Sequence, residues 1–163
     1  MIFHLMMKTF PKIPGEGEFR TLCFNNISGI DILLSEEDLQ LMVQSIESEH
    51  HVSFREVEVV FVDEEEIVRI NREHLNRDYV TDIISFNYNE TDQKYIEGTL
   101  FCCAQRINEQ SDEFQTDLRF EFQRVVIHGL LHLAGFNDQT LQDKENMTLM
   151  ENKILSLINK GSN

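Results

Sequence analysis

The sequence predicts an α+β fold, a single domain in which a small mixed four-stranded sheet is covered by about five helices. Three observations lead there. Segments with strand character and segments with helical periodicity are interspersed along the chain rather than segregated into blocks. The 163 residues suit one core, and a hydrophobic content of 41% with 12 phenylalanines supplies the apolar surface to fill it. No repeat, low-complexity tract or long linker divides the chain.

The elements follow in order. Residues 1–20 are expected to form an N-terminal arm, and residues 21–163 the domain. The arm has only seven residues before Lys8, then Pro11 and Pro14, and no small-residue cleavage site, so no signal peptide is expected. Arg20 to Asn25 suits a first strand. Ser35 opens a helix through a Ser-x-x-Asp capping box with Asp38, and Leu39, Met42 and Ile46 recur at helical spacing. Glu56 to Val62 is β-branched and partly alternating, a second strand. Asp63 and Glu66 start another helix, continued by Ile67, Ile70, His74 and Leu75. Thr81 to Tyr88 and Gly98 to Ala104 read as two more strands. A long helix is expected from about Thr116 to Leu133, closed by Gly135. The last helix spans about Thr140 to Asn159, with Met147, Met150, Ile154 and Leu157 inward and Gly161 as its stop.

Composition narrows the function classes. A formal net charge of −15 opposes broad attraction to nucleic acid, so an RNA or DNA substrate would need a local basic patch, a metal ion or a partner. No apolar run reaches the length of a membrane span. Three cysteines, with Cys102 and Cys103 adjacent, make neither a disulfide framework nor a Cys-x-x-Cys zinc pair, and a reducing cytoplasm is the expected location. Cys102 and Cys103 are expected to point to opposite sheet faces as packing residues.

The chemistry concentrates in HGLLHLAGFND, residues 128–138. His128 and His132 stand at i and i+4, one helical turn apart on one face, where both imidazoles can reach one metal ion. Gly135 permits a sharp turn after the helix, and Asp138 follows closely enough to fold back as a third ligand. Imidazole suits Zn²⁺, Fe, Ni and Cu, and three protein ligands leave a position open for water. The competing reading makes both histidines ordinary packing residues. The zinc-peptidase pattern His-Glu-x-x-His is broken, because Gly129 stands where the glutamate base is needed.

This segment closely resembles the signature of the YbeY-type bacterial endoribonucleases, His-Gly-x-Leu-His-Leu-x-Gly-Tyr/Phe followed by Asp-His. The match covers His128, Gly129, Leu131, His132, Leu133, Gly135 and Phe136. Thr81 to Phe86, TDIISF, resembles the family's Thr-Asp-Val-Leu-Ser-Phe strand, and Met147 and Glu151 in the last helix agree as well. The resemblance extends from about Ile32 to Leu157. It implies a metal-dependent endoribonuclease that cuts single-stranded RNA, acting in ribosomal RNA maturation at the 16S 3′ end and in ribosome quality control. The implied partners are an rRNA precursor, the small ribosomal subunit and its assembly factors; neither DNA nor a membrane is expected. The expected cofactor is one divalent transition metal per chain, Zn²⁺ first, held by His128, His132 and Asp138. No side chain is assigned as general base, and either activated water or the RNA 2′-hydroxyl can be the nucleophile.

Three positions depart from the family pattern. Asp138 replaces the usual third histidine, Leu75 stands at the usual arginine, and Gly98-Thr99 replaces a Gly-Asp pair. Arg72 and Arg77 are therefore the candidates for holding RNA phosphates, with Arg119 and Arg124 as possible extensions and an ordinary solvated helix face as the competing reading. Glu151 is a candidate for orienting an imidazole from behind. Thr81 and Asp82 are expected to cap and orient their strand, His74 to support packing, and His50 and His51 to be exposed. Two other functions remain open: a different metallohydrolase, such as an atypical peptidase, and a non-catalytic ribosome-assembly factor with a structural metal.

Overall fold

The computed structural model describes residues 20–90 and 94–160. The proposed arm, apart from Arg20, and the expected stop at Gly161 lie outside these residues. Four strands and five helices run in the order β1 (Thr21–Asn26), α1 (Glu36–His50), β2 (Phe54–Val62), α2 (Glu64–Leu75), β3 (Ile83–Asn87), β4 (Ile96–Cys103), α3 (Ala104–Phe114), α4 (Leu118–Leu133) and α5 (Leu141–Ile158).

The sheet is mixed, with strand order β1-β2-β4-β3. β1 and β4 pair parallel to β2, while β3 pairs antiparallel to β4, with Ile84 opposite Phe101 and Phe86 opposite Thr99. β3 is thus an edge strand. Alternation along β2 feeds two apolar layers. Val57, Val59 and Phe61 join α1, α4 and α5 through Leu39, Met42, Phe122, Val126, Leu130 and Ile154. Val60 and Val62 face α2, packing with Ile67, Ile70 and Ile84. Cys102 belongs to the first layer and Cys103 to the second, so the adjacent thiols do lie on opposite faces, both buried.

Helix starts follow the capping residues. Ser35 and Asp38 form the expected capping box, Asp63 accepts from the Glu66 N–H, and Thr140 pairs reciprocally with Asp143. The helix α3 had no place among the elements located from sequence. It buries only Ala104, Ile107 and Ser111, a stripe with one large apolar side chain.

Two glycines set how closely α4 lies on the sheet. A Cβ on Gly129 would meet Ile83 Cδ1 and come within 2.9–3.0 Å of the Leu100 methyls. A Cβ on Gly98 would fall 2.5 Å from the Phe86 carbonyl oxygen and 2.6 Å from Leu133 Cδ2. The residue after His128 therefore packs into the sheet, and its lack of a side chain is a packing requirement.

Candidate metal centre

α4 presents His128 and His132 on one face, and its end determines how the second imidazole is held. Gly135 adopts φ +98°, a conformation that suits glycine. The Gly135 N–H donates to the His132 carbonyl at 3.0 Å and the Phe136 N–H to the Leu131 carbonyl at 3.1 Å, a Schellman closure. That turn aims the Phe136 carbonyl back at His132, whose Nδ1 lies 2.9 Å from it. Asn87, at the end of β3, donates from Nδ2 to the Leu133 carbonyl at 2.8 Å and satisfies another terminal acceptor.

α5 supplies the partner for the first imidazole. Glu151 is buried, and its Oε2 accepts from His128 Nδ1 at 2.9 Å, while Oε1 accepts from Arg124 Nη1 at 3.1 Å. Arg124 also donates to Asn152 Oδ1 at 2.8 Å. The carboxylate is thus fixed between a guanidinium and an imidazole.

With each Nδ1 donating to an oxygen, each neutral ring turns its Nε2 lone pair toward the other, 2.9 Å apart. Asp138 Oδ2 lies 3.5 Å from His128 Nε2 and 3.6 Å from His132 Nε2. Three acceptors this close repel one another unless a cation or proton lies between them. Their spacing is that of atoms sharing one ion through bonds of about 2 Å, so the donor set fits a divalent metal. Protonation is the alternative for a metal-free site. Burial opposes the His128 imidazolium, but the Glu151 hydrogen bond and the charges of Glu151, Asp138 and Asp82 outweigh it and raise the His128 pKa.

The three groups open onto a cleft of about 420 Å³ running beside β3. Arg77, Tyr79, Thr81, Asp82, Ser85 and Asn87 also line it. Thr81 Oγ1 and Gln110 Nε2 donate to the two Asp82 oxygens at 3.4 and 3.3 Å.

The arginine candidates separate. Arg77 lies on the cleft wall, whereas Arg72 ion-pairs with Asp78 and is absent from the lining. Arg119 is paired with Asp38 and Arg124 with Glu151. Leu75 lines the cleft near Arg77. His74 is exposed, its ring edge-on to Phe86 at 5.2 Å between centroids, and His51 is exposed. His50 departs from expectation: it is half-buried, its ring 4.8 Å from that of Phe136, because the α4 turn folds against the end of α1. Sequence reading did not find the roles of the Phe136 carbonyl, Asn87 or Arg124. The first could have been inferred from the glycine turn; the others require the packing of separate elements.

Comparisons with known proteins bear on the family and the fold. The family model described as Endoribonuclease YbeY matches residues 28–159. A curated protein from Phocaeicola vulgatus, named Endoribonuclease YbeY, is 40% identical over 103 residues, covering 63% of this chain and 73% of its own. A like-named protein from Flavobacterium psychrophilum is 33% identical over 135 residues, 82% of this chain and 95% of its own. The solution structure of a Thermotoga maritima protein shares the fold at TM-score 0.56 and 24% identity, covering 85% of this chain and 90% of that one. With a family match over most of its length and the same fold in a solved structure, the chain belongs to the YbeY endoribonuclease family.

Proposed function

We propose that the protein is a metal-dependent endoribonuclease that cuts single-stranded RNA in ribosomal RNA maturation, at the 3′ end of 16S rRNA, and in ribosome quality control. The observation that carries this reading is the convergence of His128 Nε2, His132 Nε2 and Asp138 Oδ2, within 4.8 Å of one another, on a cleft of a chain in this family. Its partners are the rRNA precursor, the small subunit and its assembly factors, met in the cytoplasm. Among the described residues no helix is long and apolar enough to cross a membrane.

His128, His132 and Asp138 would hold one divalent transition metal, Zn²⁺ by its fit to two imidazoles and a carboxylate. Such an ion supplies Lewis acidity toward a phosphoryl oxygen and a lowered pKa for water. The chain's own residues do the rest. Glu151 and the Phe136 carbonyl fix both imidazoles with Nε2 toward the site. Arg77 offers a guanidinium to a phosphate from the cleft wall, and Arg72 joins it only by releasing Asp78. Among the described residues Asp82 is the one carboxylate lining the cleft outside the proposed ligand set, and in this reading it would accept a proton from the attacking group. The activity is assigned to residues 21–163.

Metal analysis of purified protein beside a chelator-controlled RNA cleavage assay tests the reading. About one metal per chain and cleavage abolished by chelator are expected. Folded His128→Ala and His132→Ala proteins that retain metal and cut RNA like the wild type would overturn it.

A further inference from the structure

Tyr79 has no structural reason to be where it is. The residue is 53% exposed, and among the described residues it makes no ring contact and no side-chain hydrogen bond. It nevertheless lines the metal-site cleft, where among the described residues it is the only phenyl, phenol or indole ring. The segment carrying it is held firmly. Asn71, only 1% exposed in α2, donates from Nδ2 to the Tyr79 carbonyl at 3.0 Å and accepts from the Arg77 N–H at 3.2 Å. One buried residue thus fixes both ends of the Arg77–Tyr79 segment and presents a cation and an aromatic ring on the same wall. Asp78, between them, turns to Arg72.

We infer that Tyr79 is a stacking platform for one nucleobase of the RNA strand whose phosphates Arg77 contacts. The inference rests on the nuclease reading and adds to it a residue that selects unpaired RNA. A base can lie on the ring only when it has left its neighbours, so a duplex cannot use the contact. Stacking accepts any base, because every base has a π face. A rigid loop loses little entropy on engaging it, unlike a long flexible side chain.

The chain contains no tryptophan, so Tyr79→Trp introduces one indole as a local reporter. Metal-loaded protein is titrated with a 2′-O-methyl adenosine oligonucleotide of about eight residues, within the range such sites accommodate. Its abasic counterpart and a 2′-O-methyl duplex serve as comparisons. The Tyr79→Trp protein should bind the oligonucleotide with quenched emission, and the abasic strand should leave emission unchanged. Tyr79→Ala should bind the single strand ~10-fold more weakly, while Tyr79→Phe stays near wild type and duplex binding is the same in all. Matching thermal unfolding confirms that the variants are folded. Unchanged affinity in Tyr79→Ala, equal loss in Tyr79→Phe, or binding without quenching overturns the stacking role while leaving the nuclease intact. A wild-type protein that neither binds nor cuts single-stranded RNA overturns both.

Discussion

Removing the carboxylate behind His128 separates orientation from ligation. Glu151 accepts from His128 Nδ1 at 2.9 Å and from Arg124 Nη1 at 3.1 Å, and it touches no candidate substrate position. Glu151→Gln keeps an oxygen that can accept from Nδ1, but its amide can no longer accept from Arg124 on the other side, and the negative charge is gone. Losing such an outer partner typically weakens metal binding 10–100-fold, about 1.4 kcal/mol for each decade. We expect about 10-fold for glutamine, which retains one hydrogen bond, and nearer 100-fold for alanine, which also frees the imidazole to rotate. Fold stability should fall by about 1–3 kcal/mol in the alanine variant, the range for leaving buried hydrogen-bonding groups unpaired. Arg124 keeps Asn152 and partial solvent contact, which places the loss below that for breaking a fully buried pair. Competition against a chromophoric chelator at fixed pH measures the first quantity and urea unfolding the second. Folded Gln and Ala variants with wild-type metal affinity would refute the orienting role.

Three other outcomes follow from the geometry. Gly129→Ala should destabilise the fold by about 1–3 kcal/mol despite alanine's better helix propensity, because the new methyl meets Ile83 and Leu100; an unchanged urea midpoint contradicts the close approach. Asp138→Ala should weaken metal retention while Asp138→His preserves it, as read by metal analysis after dialysis; equal content in all three proteins removes Asp138 from the ligand set. His128 should make metal affinity fall with pH from a point above the ordinary imidazole value of about 6.5, because its raised pKa lets protons compete earlier. In the metal-free protein the sign reverses: the stabilisation from protonated His128 is complete below about 6.5 and is lost as pH rises through the higher folded value. An apparent metal affinity that stays constant down to pH 6.5 would contradict the first, and a metal-free stability that does not fall as pH rises above 6.5 would contradict the second.

What the sequence could convey depended on whether a property was local. His128 and His132 share a face because helical period alone places them there, and Gly135 marks the turn through its backbone requirement. The capping pairs Ser35–Asp38 and Thr140–Asp143 lie three residues apart and are legible for the same reason. The Arg124–Glu151–His128 chain joins two helices, and nothing in either segment announces that they pack together. Arg72 illustrates the opposite case. Its position beside Arg77 in sequence suggested a shared role, but α2 ends between them, and Asp78 captures the first while the second reaches the cleft. His50 was misjudged because a polar helix end was covered by Phe136 from a distant turn.

The acidity of the chain, which first argued against an RNA partner, bears on the site in a more specific way. With histidines neutral, the charged residues lining the cleft are Arg77 against Asp82 and Asp138, a net of −1. A divalent ion held by His128, His132 and Asp138, as proposed, would reverse that to +1 in the cleft where the proposed RNA substrate would bind. Asp138 as a ligand in place of a neutral one would halve the positive charge that would otherwise remain with the ion, which would increase the share of phosphate binding that the proposal assigns to Arg77. Low-dielectric walls make such a local reversal count for more than the distant surface charge, which salt screens over about 8–10 Å. On the proposed function, a metal held there would govern access of RNA to the cleft as well as its cleavage, while the rest of the chain, −14 once the cleft's −1 is set aside from the total of −15, would restrain binding outside it.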